Sequence, residues 1–256
     1  MDRRAILVDV TKCTGCGTCA SACQEVNEQE WHEAKGFNAE TFTFLVDRGD
    51  SGTVRRLCMH CEDPTCASVC PVGALRKTVD GPVTYDADRC MGCRYCIAAC
   101  PFGVPTYEWS SSAPRVRKCQ MCAGRPEGPA CAQECPKGAT IAGARDALIA
   151  EAKRRLAENP GRYYQHIYGL EEVGGTDVLY IGARSPAELG LPTNLDNRPL
   201  PELTRRALHV IPDVVTFGGA TLAGLLWFTR RNERVAEAKQ KSIRPSVETE
   251  DDHGQR

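Results

Sequence analysis

The sequence predicts an α+β fold of short strands and small helices, arranged as two pseudo-twofold halves around cysteine-rich loops. Three observations predict it. All 16 cysteines of the 256-residue chain fall into four runs of four, with none left over. The run from Cys90 to Pro101, CMGCRYCIAACP, has the C-x2-C-x2-C-x3-C-P spacing with which bacterial ferredoxins hold 4Fe–4S cubes. Short strand and turn signals lie between the runs, so the expected architecture is a double bacterial-ferredoxin fold with an insertion, an extended arm and one C-terminal transmembrane helix.

The runs are Cys13, Cys16, Cys19, Cys23; Cys58, Cys61, Cys66, Cys70; Cys90, Cys93, Cys96, Cys100; and Cys119, Cys122, Cys131, Cys135. A zinc site would usually pair two C-x2-C knuckles, and a disulfide framework does not favour cysteines packed this closely. The count suits four cubane clusters. Cysteines committed as ligands say nothing about an oxidising compartment. The formal net charge of −1 treats the thiols as neutral, whereas an oxidised cube with four thiolates carries about −2. Cations close to the runs in sequence therefore matter: Lys12, Arg76, Lys77, Arg89, Arg94, Arg117 and Lys118 either offset that charge or lie solvated on the surface.

In chain order, residues 1–145 are expected to form the four-cluster domain, with 24–57 inserted in it. Arg3 and Arg4 look like a twin-arginine pair, but Asp9 and Lys12 interrupt the apolar stretch of roughly 7–15 residues that a cleavable signal needs. Ala5 to Val8 is read as a strand instead. The first run is followed by Gln24 where the others have proline. Thr41 to Val46 and Gly52 to Arg55 flank a Gly/Asp/Ser turn and read as a hairpin with no legible chemistry.

The second run has four residues between its second and third cysteines, and the turn Asp63-Pro64 absorbs the extra length. His60 sits between two ligands, but a complete set of four cysteines leaves it no place in the cluster shell. Val72 to Tyr85 reads as two short strands about Asp80-Gly81, a hairpin that folds run three back onto run two. The fourth run has eight residues, rich in Gly and Pro, between its second and third cysteines, and Ala139 to Ala142 reads as the closing strand.

The hairpin decides which cysteines share a cube. In two-cluster ferredoxins the fourth cysteine of each run crosses to the partner cluster. Runs two and three are expected to pair in this way, which leaves runs one and four as the other pair. The expected sets are Cys13, Cys16, Cys19 with Cys135; Cys119, Cys122, Cys131 with Cys23; Cys58, Cys61, Cys66 with Cys100; and Cys90, Cys93, Cys96 with Cys70.

Residues 146–209 comprise a helix and an arm. Asp146 to Glu158 carries Leu148, Ala152 and Leu156 on one face and ends at Asn159-Pro-Gly161. Residues 162–205 form a mostly irregular extension with one apolar patch, Val178 to Ile181, expected to lie along its own core or a partner. Residues 210–229 have the length and apolarity of a membrane-spanning helix, with Asp213 as the single charge. Gly219, Ala220, Ala223 and Gly224 form small-residue rows that allow close helix approach in lipid. Arg198, Arg205 and Arg206 precede this segment, while Arg230, Arg231, Arg234, Lys239, Lys241 and Arg244 follow it in the charged tail 230–256. The positive-inside rule puts the tail in the cytoplasm and the cluster domain outside.

The segments CMHCEDPTCASVCPVGAL, CRYCIAACPFGVP and KCQMCAGR…PACAQECPKGA, with VGGTDVLYIGA in the arm and the C-terminal helix, closely resemble the four-cluster beta subunits of respiratory membrane enzymes over nearly the whole chain. The likeness is to the iron–sulfur subunits of membrane-bound formate dehydrogenase and of membrane-bound uptake nickel–iron hydrogenase. The missing twin-arginine signal leans towards the formate dehydrogenase type. The resemblance implies four 4Fe–4S clusters that connect a catalytic subunit, molybdopterin formate dehydrogenase or nickel–iron hydrogenase, to a quinone-reducing cytochrome b. It also implies that the pair from runs one and four faces the catalytic subunit.

No catalytic residues are expected, since the chain has no recognisable Ser/His/Asp motif, P-loop or dinucleotide glycine fingerprint. The lipid bilayer is an expected partner and nucleic acid is not. Two other readings are the iron–sulfur subunit of a molybdopterin reductase, with electrons running from quinol, and a free polyferredoxin. The C-terminal helix speaks against both.

Overall fold

The computed structural model describes residues 3–112 and 114–243, with the backbone alone at 206–209 and 243. The chain divides into two units, Met1–Leu203 and Thr204–Arg256. The first unit is built on β1 (Arg4–Asp9), which lies between β8 (Thr140–Ala144), antiparallel, and β9 (Val178–Ile181), parallel. Ile6 stands opposite Ala142 on one side and Val178 on the other. A central strand covered on both faces is expected to be apolar throughout, and Ala5 to Asp9 are all buried.

The period of two divides the work of β1. Ala5 and Leu7 pack on Leu148, Ala152 and Leu156 of α5 (Arg145–Glu158). Ile6 and Val8 face the other way, into a core that contains Cys19, Cys58, Met121 and Cys131. Thus one strand joins an ordinary apolar core to the cysteine loops. Asp9, at its end, is fully buried and accepts from Tyr163 Oη at 2.8 Å, Arg155 Nη1 at 2.9 Å and Thr11 N at 3.0 Å.

Three two-stranded ladders surround the loops. β2 (Thr43–Asp47) pairs with β3 (Thr53–Leu57), β4 (Leu75–Lys77) with β5 (Val83–Tyr85), and β6 (Thr106–Tyr107) with β7 (Val116–Arg117), all antiparallel. Four small helices complete the unit: α1 (Thr18–Val26), α2 (Thr65–Ser68), α3 (Tyr95–Ala99) and α4 (Ala130–Gln133). α1 packs on α4 and α2 on α3. The arm after α5 lies on this same core, since Val178 N donates to Met59 O at 3.2 Å and Tyr180 Oη to Arg55 O at 2.8 Å.

The last helix, α6 (Leu200–Ile243), is 44 residues long and extends past the expected 210–229 at both ends. Proline is tolerated in a first helical turn because no N–H donor is needed there, so Pro201 does not delay the start. The charged stretch after Thr229 is rich in Arg, Glu, Ala, Lys and Gln, all good helix formers, and it carries the helix on. The helix is long and apolar enough to cross a membrane by length and composition, with a mean hydropathy of 1.5 over its apolar window. Residues 244–256, with Arg244, lie outside the described residues.

Candidate metal centres

All four cysteine runs share one local geometry. The residue before the second cysteine has a left-handed backbone in each: Gly15 (φ 74°), His60 (49°), Gly92 (74°) and Met121 (53°). Glycine takes this conformation without strain, and at Gly92 a Cβ would meet Tyr107 Oη at 2.8 Å. The third cysteine is the second residue of a helix every time: Cys19 in α1, Cys66 in α2, Cys96 in α3 and Cys131 in α4. A helix N-terminus favours a thiolate through its dipole and free N–H groups. In runs two and four the lengthened loop ends in Pro64 or Pro129 directly before that helix, so extra residues do not move the ligand.

Twelve of the thiols gather, four at a time, around three cavities. One cavity is lined by Cys13, Cys16, Cys19 and Cys135, a second by Cys23, Cys119, Cys122 and Cys131, and another by Cys70, Cys90, Cys93 and Cys96. Burial pushes the Cys61 thiol well up, reinforced by Cys58, Cys100 and Cys66, which marks the remaining group. Each of the three cavities is therefore lined by three cysteines of one run and a fourth from another. Among the described residues, no three His, Cys, Asp or Glu side chains converge as a site for a single ion. Four thiols set around an open volume suit a polynuclear iron–sulfur group rather than one tetrahedral zinc.

Thiols of different groups influence one another. Beyond burial, Cys19 is raised by Cys131, Cys119 by Cys23 and Cys58, and Cys66 by Cys58, Cys100 and Cys96. These influences link the Cys13 group with the Cys23 group, the Cys23 group with the Cys58 group, and the Cys58 group with the Cys70 group. Two of the groups have exposed residues beside them. Cys16 is exposed and next to Thr18 Oγ1 at 3.4 Å, and exposed Met91 and Tyr95 flank the last group.

Burial drives Cys23 and Cys66 up to about 12, so these thiols need iron to bear negative charge. Backbone donors already point at sulfur: Ala74 N to Cys70 at 3.2 Å, Met121 N to Cys119 at 3.3 Å and Thr140 N to Cys135 at 3.4 Å. Such bonds stabilise cluster-bound sulfur and adjust its potential. The donor set, its spacing and its amides fit 4Fe–4S cubes.

Of the cations that adjoin the runs, Lys118 is buried and donates to the carbonyls of Val83 and Cys119. Lys77 binds His60 O at 2.9 Å and pairs with Asp177. Arg94 stacks outside the last cradle on Tyr107 and Trp109, 5.7 and 5.3 Å from their ring centroids. Arg76 donates to Gly73 O at 2.8 Å, while Arg89 and Arg117 pair with Asp86 and Glu108, both at 3.5 Å. Lys12 is half-buried. His60 is buried, with Nδ1 accepting from Val83 N at 2.9 Å. Burial, Lys118 and Lys77 hold its pKa well down, so the ring is neutral.

Proximity in sequence passes over Arg55, which lines both of the first two cradles. A signal for it exists: each run is preceded by a cation within three residues, at Lys12, Arg55 and Arg56, Arg89 and Lys118.

Two family profiles described as 4Fe-4S dicluster domains match the chain, at residues 12–74 and 50–145. Two dicluster domains correspond to four clusters. A protein of Nitratidesulfovibrio vulgaris is 38% identical over 260 residues, covering 93% of this chain and 70% of its own. Hydrogenase-2 operon protein HybA of Escherichia coli O157:H7 is 34% identical over 278 residues, covering 90% of this chain and 84% of its own. The iron-sulfur subunit of the nitrate-inducible formate dehydrogenase of Escherichia coli K12 is 36% identical over 199 residues, covering 69% of this chain and 67% of its own. With sixteen cysteines in four ferredoxin-type runs and these relatives spanning most of its length, the chain belongs to the 4Fe-4S dicluster family that includes HybA and the iron-sulfur subunits of formate dehydrogenase.

Proposed function

We propose that this chain is the non-catalytic wire of a membrane-bound respiratory oxidoreductase, taking electrons from a catalytic subunit and delivering them to a cytochrome b or other quinone-reducing subunit. The observation that carries the reading is the set of three cavities each lined by four cysteines, one beside the exposed Cys16 and another beside the exposed Met91 and Tyr95. When bound, each cluster supplies a one-electron redox site. The chain's own residues hold, space and insulate these sites. In this reading Cys135 joins Cys13, Cys16 and Cys19; Cys23 joins Cys119, Cys122 and Cys131; Cys100 joins Cys58, Cys61 and Cys66; and Cys70 joins Cys90, Cys93 and Cys96.

The four-cluster domain spans 1–145, with 24–57 as an insertion in a double ferredoxin fold, and 146–209 is the helix and arm. α6 is a single-pass anchor through 210–229. Its exposed Phe217 and Leu222, 73% and 69% accessible, suit lipid better than water. Arg230, Arg231, Arg234, Lys239 and Lys241 after the span support a cytoplasmic C-terminus and a periplasmic cluster domain in the bacterial inner membrane.

The names of the relatives support a donor subunit of the formate dehydrogenase or nickel–iron hydrogenase type. The wider reach of the HybA match, 90% of this chain against 69%, favours the hydrogenase type as the second reading. Anaerobic purification of the full chain from membranes tests the proposal. A catalytic subunit and a cytochrome b are expected to come with it, and recovery as a free soluble protein would overturn it. Truncation before His209 is expected to release the chain, expressed alone, from lipid. If the truncated protein still floats with vesicles, α6 is not the anchor.

A further inference from the structure

Arg55 lies on β3 and is 2% exposed. Its Nε donates to Thr43 Oγ1 at 2.9 Å and its Nη1 to Thr140 Oγ1 at 3.2 Å, both neutral hydroxyls. Among the described residues no carboxylate stands at ion-pair distance from it. The other buried arginine, Arg155, has Asp9 at 2.9 Å and Glu151 at 2.7 Å. A guanidinium keeps its proton in a protein, so burying one without a negative partner is strongly unfavourable. Among the described residues, the sulfur groups beside Arg55 are the cysteines of two cradles. Arg55 borders the cavity of Cys13, Cys16, Cys19 and Cys135 on one side, and that of Cys23, Cys119, Cys122 and Cys131 on the other.

We propose that Arg55 is the shared counter-charge of these two cradles and holds the reduction potentials of both clusters above the values they would have without it. The inference rests on the four-cluster reading. Reducing a cluster adds one negative charge, and a fixed positive charge in a dry, low-dielectric site stabilises the reduced form. Because the guanidinium stands between two cradles, it raises both potentials together and keeps the step between neighbouring sites level. The two hydroxyls fix its position without cancelling its charge.

The test starts with iron content of the purified full-length protein, expected at about 16 per chain for four cubes. Wild-type protein without iron removes the four-cluster reading and this inference with it. Iron-replete protein with indifferent potentials removes only the role of Arg55. Redox titration followed by electron paramagnetic resonance then compares Arg55→Met and Arg55→Lys. In Arg55→Met the reduction equilibria of the two clusters beside position 55 are expected to fall at least tenfold, or 59 mV for a one-electron couple. The clusters of runs two and three should shift by less than half as much. Arg55→Lys should keep all four within that smaller margin. Unchanged potentials in iron-replete Arg55→Met, or an equal fall at all four clusters, would overturn the proposal. If Arg55→Met loses iron, Arg55→Lys decides: wild-type iron supports the counter-charge, and loss of iron in both variants overturns it.

Discussion

Asp177 and Lys77, 100 positions apart in the chain, form an ion pair in which the carboxylate is wholly buried. Arg3 Nε stands 2.9 Å and Arg145 Nε 3.4 Å from the other carboxylate oxygen. Glu62 receives the same two arginines at 2.6 and 2.7 Å. One cluster of charge thus ties the arm, the start of β1, the start of α5 and hairpin β4–β5 to the loop of the second run. Burial raises the Asp177 carboxyl, and Lys77, Arg3 and Arg145 pull it back.

Replacing Asp177 by Asn leaves three cations around a neutral amide. Breaking a buried pair from one side costs about 3 kcal/mol. The expected outcome is loss of cluster absorbance at clearly lower guanidinium concentration than in the wild type. A wild-type midpoint would mean that the network carries no stability.

The crossing of the fourth cysteines predicts which variants share a spectrum. Cys135→Ser and Cys16→Ser should perturb the same cluster signal, and Cys23→Ser the signal perturbed by Cys119→Ser. Likewise Cys70→Ser should act with Cys93→Ser. If Cys23→Ser and Cys16→Ser altered one signal and left that of Cys119 intact, each run would close on its own cube.

The sixteen cysteines are legible because cluster ligation demands fixed spacing, and Asp80-Gly81 is legible because few residues accept that hairpin turn. Arg55 is not. Thr-Val-Arg-Arg-Leu reads as a strand with a solvated basic pair, and only the register of β3 against β2, with Arg55 opposite Leu45, buries one arginine beside the cradles and leaves Arg56 partly exposed. Asp177 is hidden for the same reason, since its three cationic partners come from distant segments. The length of α6 is illegible in a window that scores apolarity alone, because its last turns are charged and still good helix formers.

On α5, Arg154 and then Arg155 hold the Glu151 carboxyl down to about 2. A carboxyl whose folded pKa lies below its unfolded value of about 4.3 stabilises the fold above that value, and the contribution is lost as pH falls through the folded value. The Arg154 side of the pair is exposed and the Arg155 side is not, so Glu151→Gln should cost about 1 kcal/mol. That difference from wild type should be constant between pH 8 and pH 5 in denaturant melts. A difference already shrinking from pH 7 to pH 5 would assign it to another group.

The proposed order of the cradles predicts where a broken wire stops. In the proposed path the Cys16 group and the Cys93 group are the two ends, and Cys58 influences Cys119 between them. If the pair from runs one and four faces the catalytic subunit, Cys93→Ser breaks the path downstream of the active site. Quinone reduction should then stop while the catalytic subunit still reduces an artificial dye, and the clusters of runs one and four should still fill from the physiological donor. Cys16→Ser should block electrons at the first step within this chain and leave the downstream clusters oxidised. Cluster-by-cluster reduction by the donor, read by electron paramagnetic resonance in each variant, separates the two cases. If Cys93→Ser left the clusters of runs one and four empty of electrons while those of runs two and three filled, the wire would run the other way.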